Sequence, residues 1–153
     1  MPEPSRIYKP SARVDATRPP AVATEFTVSL DGIRVLVLDD EGDTRRLIFD
    51  TLQLQGASVT LAGSGDEALR ILKYEKFDVI ISDLGMDGMD GLDFIRAVRE
   101  RDIQTPAIAL SGYTGIEPQQ NALAAGFQMH LDKPVENLLL AAAVADLAEQ
   151  NRK

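Results

Sequence analysis

Five short strand-like runs recur along the chain, and each is followed by a segment whose apolar residues repeat at helical spacing. The runs cover 33–38, 58–62, 78–82, 106–110 and 127–131, and the helical segments cover 44–55, 64–75, 90–101, 115–125 and 134–150. Three of the runs contain three or four consecutive apolar residues, at 35–38, 79–81 and 107–110, which is typical of strands in a parallel sheet that helices cover on both faces. The pattern therefore predicts an α/β fold, a doubly wound (βα)5 parallel sheet of five strands.

Several helix ends carry recognisable start signals. Ser64 and Glu67 have the spacing of a capping box, in which each side chain satisfies a free backbone N–H group. Asp90 and Asp93 have the spacing of a helix cap and its first turn. Pro134 is expected in the first turn of the last helix, where its missing N–H group costs nothing.

The chain divides into an extension and one domain. At 153 residues it is long enough for one domain with a hydrophobic core and short for two. Five of the eight prolines fall in the first thirty residues, where no helical or strand period persists. We therefore expect a flexible N-terminal extension or linker over 1–30 and a folded domain over 31–153.

Composition excludes several classes of function. The net charge of −8 disfavours direct nucleic acid binding, and no apolar run approaches the roughly 20 residues that a membrane span requires. The chain has no cysteine and a single histidine, His130, so a bound metal would have oxygen ligands. No signal-peptide pattern opens the chain, and a cytoplasmic location is the expectation.

Chemically active side chains follow four of the predicted strands. Asp39 and Asp40 follow the first, Asp83 the third, Ser111 the fourth and Lys133 the fifth. Carboxyl ends of parallel strands meet at one edge of the sheet, so we expect these side chains to converge. Carboxylates about 4 Å apart repel by roughly 4 kcal/mol at an effective dielectric constant of about 20, which either raised pKa values or a divalent cation would offset. Mg²⁺ or Mn²⁺ with a nearby hydroxyl and ammonium would suit a phosphoryl group, and a carboxylate can itself be the nucleophile.

The segments "VLVLDDE", "VIISDLGMDGMDG", "ALSG" and "HLDKPV", in that order, resemble the receiver domain of two-component response regulators. The resemblance covers about residues 32–150 and implies the flavodoxin-like strand order 2-1-3-4-5. It implies that Asp83 is the phosphoacceptor, that Ser111 hydrogen-bonds the transferred group and that Lys133 pairs with it. His130 stands where the family has its switch aromatic, and Ser111 with His130 would form the switch. The peptide between Lys133 and Pro134 is expected to be cis.

The same resemblance implies a set of metal ligands. Asp40 would bind Mg²⁺ directly, Asp39 would act near it through water, and Asp83 would complete the carboxylates. The backbone carbonyl of Gly85 would be a further ligand.

The chain departs from the family's pattern at two positions. Asp87 replaces a proline of the loop after the third strand, and we expect its carboxylate to face solvent. Gly112 replaces a common alanine, which should loosen the loop after the fourth strand. His130 could equally be an ordinary packed residue, and Met86 and Met89 are interpreted as anchors of the loop.

These features predict a receiver that accepts a phosphoryl group from a histidine kinase or a histidine phosphotransfer domain and switches contacts with a downstream effector protein. It would not be an enzyme acting on an external substrate. A homodimer through the face of the fourth helix and fifth strand is a further expectation. Two alternatives remain: a degenerate receiver that acts as a phosphorylation-independent interaction module, and an aspartyl phosphatase resembling the haloacid dehalogenases.

Overall fold

The computed structural model describes residues 28–112 and 115–151. In this part of the chain the strands are β1 (Arg34–Leu38), β2 (Ser58–Ala62), β3 (Val79–Asp83), β4 (Ala107–Ser111) and β5 (Met129–Asp132). The helices are α1 (Gly42–Leu54), α2 (Gly65–Tyr74), α3 (Gly91–Glu100), α4 (Ile116–Ala125) and α5 (Asn137–Asn151). Strand and helix alternate throughout, as the sequence predicts.

The strands form one sheet in the order β2-β1-β3-β4-β5, and every neighbouring pair is parallel. This confirms both the fold class and the predicted strand order. All five residues of β3 and of β4 are buried, because helices cover the sheet on both sides. The order reverses at β1, so the carboxyl ends of β1 and β3 border the crevice where ligands bind in such sheets.

The sheet separates two apolar cores. On one face, alternate strand residues such as Val35, Val37 and Ile81 pack with α1 and α5. On the other face, Leu36 and Ile80 pack among the buried residues of α2, α3 and α4. The period of two along each strand therefore fixes the face to which each side chain contributes.

Arg99 of α3 joins the second core to the strands beside it. Its guanidinium donates to the backbone carbonyls of Ile103, Thr105 and Gly126 and to the side-chain oxygen of Gln128, at 2.7–3.1 Å. Burial lowers the pKa of Arg99 from its ordinary value. One planar side chain thus ties the end of α3 to the connections that lead into β4 and β5.

The expected helix caps are confirmed. The Ser64 hydroxyl accepts a hydrogen bond from the backbone N–H of Glu67, and Asp90 accepts one from the N–H of Asp93. The Glu67 carboxylate accepts its hydrogen bond from the N–H of Gly63, one residue before the expected Ser64. The placement of Pro134 in the first turn of α5 is wrong, because the helix begins at Asn137. The backbone N–H of Lys133, which follows the end of β5, still donates to a β4 carbonyl at 2.8 Å.

The described core begins before the predicted domain boundary. Val28 and Leu30 are buried against the core that contains α1 and α5, and the N–H of Leu30 donates to the carbonyl of Gln55. The rest of the predicted extension, residues 1–27, lies outside the described residues. Among the helices that the structure describes, none is both long enough and apolar enough to cross a bilayer.

Candidate functional site

Three carboxylates meet where β1 and β3 end. Asp39, Asp40 and Asp83 each place a carboxylate oxygen within 4.8 Å of the others. Asp39 is 1% exposed and Asp83 is 7% exposed, whereas Asp40 faces solvent. The predicted convergence of residues separated by more than forty positions therefore occurs, because β1 and β3 are neighbours in the sheet.

Only one of the two carboxylate oxygens of Asp39 accepts a hydrogen bond within the described residues. Its Oδ1 atom accepts a hydrogen bond from the N–H of Glu41 at 2.9 Å. Its Oδ2 atom is buried and accepts no hydrogen bond from any part of the chain that the structure describes. The ammonium of Lys133 is 3.6 Å from Oδ2, beyond hydrogen-bond range. A buried carboxylate oxygen that accepts no hydrogen bond is suited to a ligand that supplies positive charge.

Lys133 brings a cation to the carboxylates from the end of β5. Its Nζ atom is 2.9 Å from Oδ1 of Asp83, which is a direct charge-assisted hydrogen bond. Its backbone N–H donates to the carbonyl of Ser111, and its peptide bond to Pro134 is cis, as expected. The hydrogen bond of its backbone N–H to Ser111 ties Lys133 to the end of β4, and its side chain reaches from there to Asp83.

The pKa values of Asp39, which is buried, and of Lys133, which is partly exposed, are both shifted. Burial raises the pKa of Asp39, and the opposing effects of the Glu41 N–H and of Lys133 do not cancel it. Burial alone would lower the pKa of Lys133, but its hydrogen bond to Asp83 and the charge of Asp39 outweigh this, and the pKa is raised. Lys133 is consequently protonated at neutral pH, while an ionised Asp39 carries an uncompensated energetic cost.

Ser111 and His130 lie on the same face of the sheet. Ser111 ends β4 and is 1% exposed, and it lines a cavity of about 260 Å³ together with Gly85 of the β3–α3 loop and Asn121 of α4. His130 pairs in register with Ala109, two residues before Ser111, and that alanine packs in the core on the α4 side. Side chains of register partners point to one face, so His130 and Ser111 both point toward the α4 layer.

The His130 side chain is 4% exposed, which places it among buried groups. Its Nδ1 atom is 3.8 Å from the carboxylate of Asp132. Its Nε2 atom has no hydrogen-bond partner among residues 28–112 and 115–151. His130 is therefore a packed residue beside the site rather than a member of the carboxylate cluster, and its role as a switch stays a prediction.

The loop after β3 contains Asp87, which stands where the family has a proline. Its side chain is exposed, as expected, and its backbone N–H donates to Oδ2 of Asp40 at 3.1 Å. A proline at this position could not make this hydrogen bond, because it has no N–H. Met86 and Met89 pack against the core beneath the loop, which confirms them as anchors. The substitution therefore leaves the carboxylates together and adds a contact to one of them.

Two residues of the site carry no recognisable sequence signal. Arg45, one turn into α1, donates from Nη1 to the backbone carbonyl of Asp39 at 2.7 Å. A Cβ atom added to Gly91 would lie 2.5 Å from the carbonyl oxygen of Asp83, so only glycine fits against that backbone. An arginine in a first helical turn and a glycine after a cap are common features, and only the packing shows what they hold.

The model of the response regulator receiver domain family matches residues 35–145. An uncharacterised 14.6 kDa protein of Leptolyngbya boryana is 44% identical over 108 residues, which are 69% of this chain and 82% of that protein. The sensor histidine kinase RcsC of Salmonella typhimurium is 31% identical over 150 residues, and the transcriptional regulatory protein GlrR of Escherichia coli is 36% identical over 117. These matches cover 97% and 76% of this chain but span only 16% of RcsC and 26% of GlrR.

Solved structures give the same likeness. The receiver domain of the Francisella response regulator 1452 superimposes with a TM-score of 0.75 at 30% identity, covering 78% of this chain and 98% of that domain. The chemotaxis protein CheY4 of Vibrio cholerae superimposes with a TM-score of 0.72 at 35% identity, covering 75% of this chain and 98% of that protein.

Proposed function

This chain belongs to the response regulator receiver domain family, and from that premise we propose that Asp83 accepts a phosphoryl group from a phosphohistidine. The donor would be a histidine kinase or a histidine phosphotransfer domain of a two-component system. The observation that carries the proposal is the position of Asp83, buried to 7% exposure, 2.9 Å from the Lys133 ammonium and beside two further carboxylates.

The donor set fits Mg²⁺ or Mn²⁺. The carboxylates of Asp39, Asp40 and Asp83 and the backbone carbonyl of Gly85 are all hard oxygen ligands, and one buried oxygen of Asp39 has a free lone pair for such an ion. When bound, the ion would neutralise charge on the phosphoryl oxygens. Because magnesium keeps several waters, the carboxylates need not all contact it directly.

The groups of this chain supply a nucleophile and its electrostatic partners. The Asp83 carboxylate forms a bond to phosphorus while the bond from phosphorus to the donor histidine nitrogen breaks. Lys133, protonated because its pKa is raised, pairs with the negative oxygens that the transfer places beside Asp83. The Ser111 hydroxyl, at the wall of the adjoining cavity, donates a hydrogen bond to the same group. Positioning and charge neutralisation of this kind are what phosphoryl transfer requires.

The output would be a change of protein contacts. Formation of the acyl phosphate replaces the single negative charge of the Asp83 carboxylate with about two charges on the phosphoryl oxygens. Ser111 and His130 share one face of the sheet nearby. Movement of Ser111 toward that group opens room for His130 and alters the surface of α4 and β5, where an effector protein or a second copy of the chain would bind. The chain then acts as a switch on its own aspartate and turns over no external substrate.

Phosphorylation of the purified chain tests the proposal. With acetyl phosphate and Mg²⁺, intact-mass spectrometry should show the addition of one phosphoryl group, and Asp83→Asn should abolish it. Asp90→Asn is the matched control, because asparagine also caps a helix and this variant keeps Asp83. An equal adduct on Asp83→Asn would refute the assignment. A folded parent that takes neither phosphoryl group nor Mg²⁺ would instead indicate the degenerate interaction module.

A further inference from the structure

The carboxylate of Asp40 depends on one contact for its position. It is exposed, unlike Asp39 and Asp83, which are buried where β1 and β3 end. The Lys133 ammonium pairs with both of those carboxylates, and in the described part of the chain no ion pair reaches Asp40. The backbone N–H of Asp87, 3.1 Å from Oδ2, is therefore the group that holds the Asp40 side chain.

Without a cation, the three carboxylates repel one another. Their oxygens lie within 4.8 Å of each other, a distance at which like charges interact unfavourably. The sheet fixes Asp39 and Asp83, whereas the exposed side chain of Asp40 is free to rotate into solvent and relieve the repulsion. A hydrogen-bond donor on Oδ2 opposes that rotation. In the metal-free protein the N–H of Asp87 thus keeps the third carboxylate beside the other two.

The loop that carries the N–H of Asp87 is anchored on both sides of this residue. Before it, Met86 is 8% exposed and packs in the core that contains α2, α3 and α4. Directly after it, Gly88 turns the chain with a left-handed φ of 72°. Met89 then packs so closely on Gly65 that a Cβ atom added there would lie 2.5 Å from the Met89 Sδ atom. The N–H therefore belongs to a segment that packing holds in place.

The hydrogen bond leaves Asp40 able to bind a cation. A carboxylate offers about four acceptor sites on its two oxygens, and the Asp87 N–H uses one of them. Groups that hydrogen-bond a ligating carboxylate orient it toward the metal, and their loss typically lowers metal affinity by about 10- to 100-fold. The N–H of Asp87 stands in this relation to Asp40. A proline at position 87 could not, because it has no N–H.

We propose that the backbone N–H of Asp87 is a positioning group of the metal site. It holds Asp40 beside the two buried carboxylates before the ion arrives and thereby strengthens the binding of Mg²⁺. This inference rests on the proposed Mg²⁺ site and adds a residue to it. The side-chain carboxylate of Asp87 is exposed and has no part in the effect, so the residue matters at this position because it is not proline.

Titration calorimetry with magnesium chloride alone, on full-length variants freed of metal by EDTA and dialysis, measures the effect. Asp87→Ala and Asp87→Pro both lack the carboxylate, and only Asp87→Ala keeps the N–H. Asp87→Ala should bind Mg²⁺ with nearly the parental Kd, because solvent screens the exposed charge that it removes. Asp87→Pro should bind Mg²⁺ about 10-fold more weakly than Asp87→Ala, as expected for a ligand that loses its hydrogen-bond donor.

The outcomes separate this inference from the proposed function. Equal Kd values for Asp87→Ala and Asp87→Pro, or tighter binding by Asp87→Pro, would overturn the inference and leave the Mg²⁺ site standing. A folded parent that binds no Mg²⁺ would overturn the site itself, and the inference with it.

A second measurement needs neither Mg²⁺ nor the proline variant, and it decides the question if that variant does not fold. In ¹H–¹⁵N spectra recorded in EDTA, the amide proton of Asp87 should exchange slowly with solvent, because it is hydrogen-bonded. Asp40→Ala removes the acceptor, so the Asp87 signal should move upfield and exchange faster. Asp43→Ala removes an exposed carboxylate from the first turn of α1 and should leave that signal unchanged. An Asp87 amide that does not respond to Asp40→Ala would overturn the inference.

Discussion

Replacing Asp39 by asparagine should stabilise the metal-free protein. The substitution removes a buried charge but keeps the Oδ1 atom that accepts the hydrogen bond from Glu41. Burial raises the pKa of Asp39, which means that the folded protein holds the Asp39 proton more tightly than the unfolded chain does. Ionisation of Asp39 therefore lowers the free energy of unfolding, and the cost develops as the pH rises above the ordinary carboxyl value of 3.8.

The distances set the size of the effect. At an effective dielectric constant of about 20, the variant loses an attraction to Lys133 of roughly 4.5 kcal/mol at 3.6 Å. It also escapes a repulsion from Asp83 of at least roughly 3.5 kcal/mol, since the two carboxylates have oxygens within 4.8 Å of each other. These two terms nearly cancel. The effective cost of burying a charge is several kcal/mol, and it disappears with the charge. After allowance for the new amide N–H groups, we expect a net stabilisation of about 2 kcal/mol, or roughly 4–8 °C in Tm.

Thermal and urea unfolding with EDTA at pH 7 measure this difference, and the gap should shrink as the pH is lowered toward 3.8. Asp102→Asn is the matched control, since it removes an exposed carboxylate from a left-handed residue that asparagine also tolerates. Mg²⁺ at 100 times its Kd for the parent should narrow the gap, because the ion contributes about 2.7 kcal/mol to the parent and less to the variant. A loss of stability in EDTA for Asp39→Asn would refute the reasoning.

Further substitutions follow from the same contacts. The raised pKa of Lys133 contributes stability that is fully present below a pH of about 10.5 and is lost as the pH rises further. In urea titrations at alkaline pH, the free energy of unfolding should therefore fall more steeply for the parent than for Lys133→Met. Arg99→Lys should lower Tm by several degrees, because an ammonium cannot donate to all four acceptors of the guanidinium. The same substitution at exposed Arg101 should leave Tm unchanged. A parental Tm for Arg99→Lys would count against this role of Arg99. Gly91→Ala should reduce both Tm and labelling by acetyl phosphate because its Cβ meets the Asp83 carbonyl, while Gly112→Ala, which meets nothing within 4 Å, should leave both intact. Parental behaviour of Gly91→Ala would show that the loop adjusts.

The sequence determined the fold class and the convergence of the site without any knowledge of side-chain packing. Unbroken apolar runs alternating with helical segments admit a parallel sheet, and parallel strands bring their carboxyl ends to one edge. Asp39, Asp40, Asp83 and Lys133 were therefore predictable as neighbours. That prediction needed only the positions of these residues at strand ends, and the short-range periodicity of apolar residues shows where each strand ends.

The tertiary structure decided what local pattern could not express. A proline after a strand predicts a helix start, but β5 ends at Asp132 and α5 begins only at Asn137. The hydrogen bond from Asp87 to Asp40 joins residues 47 positions apart, and no local spacing could predict it.

His130 is the clearest case in which the sequence left two interpretations open and the structure supplied the surroundings of the side chain. From the sequence, His130 was compatible with a switch residue or with an ordinary packed residue. In the structure its side chain is buried and lies on the same face of the sheet as Ser111. No sequence pattern identified Arg45 as part of the site, and only the structure shows its hydrogen bond to the Asp39 carbonyl. Periodicity along the chain fixes which elements form and which edge they share, whereas the partner of each polar group depends on distances between segments that only the folded chain brings together.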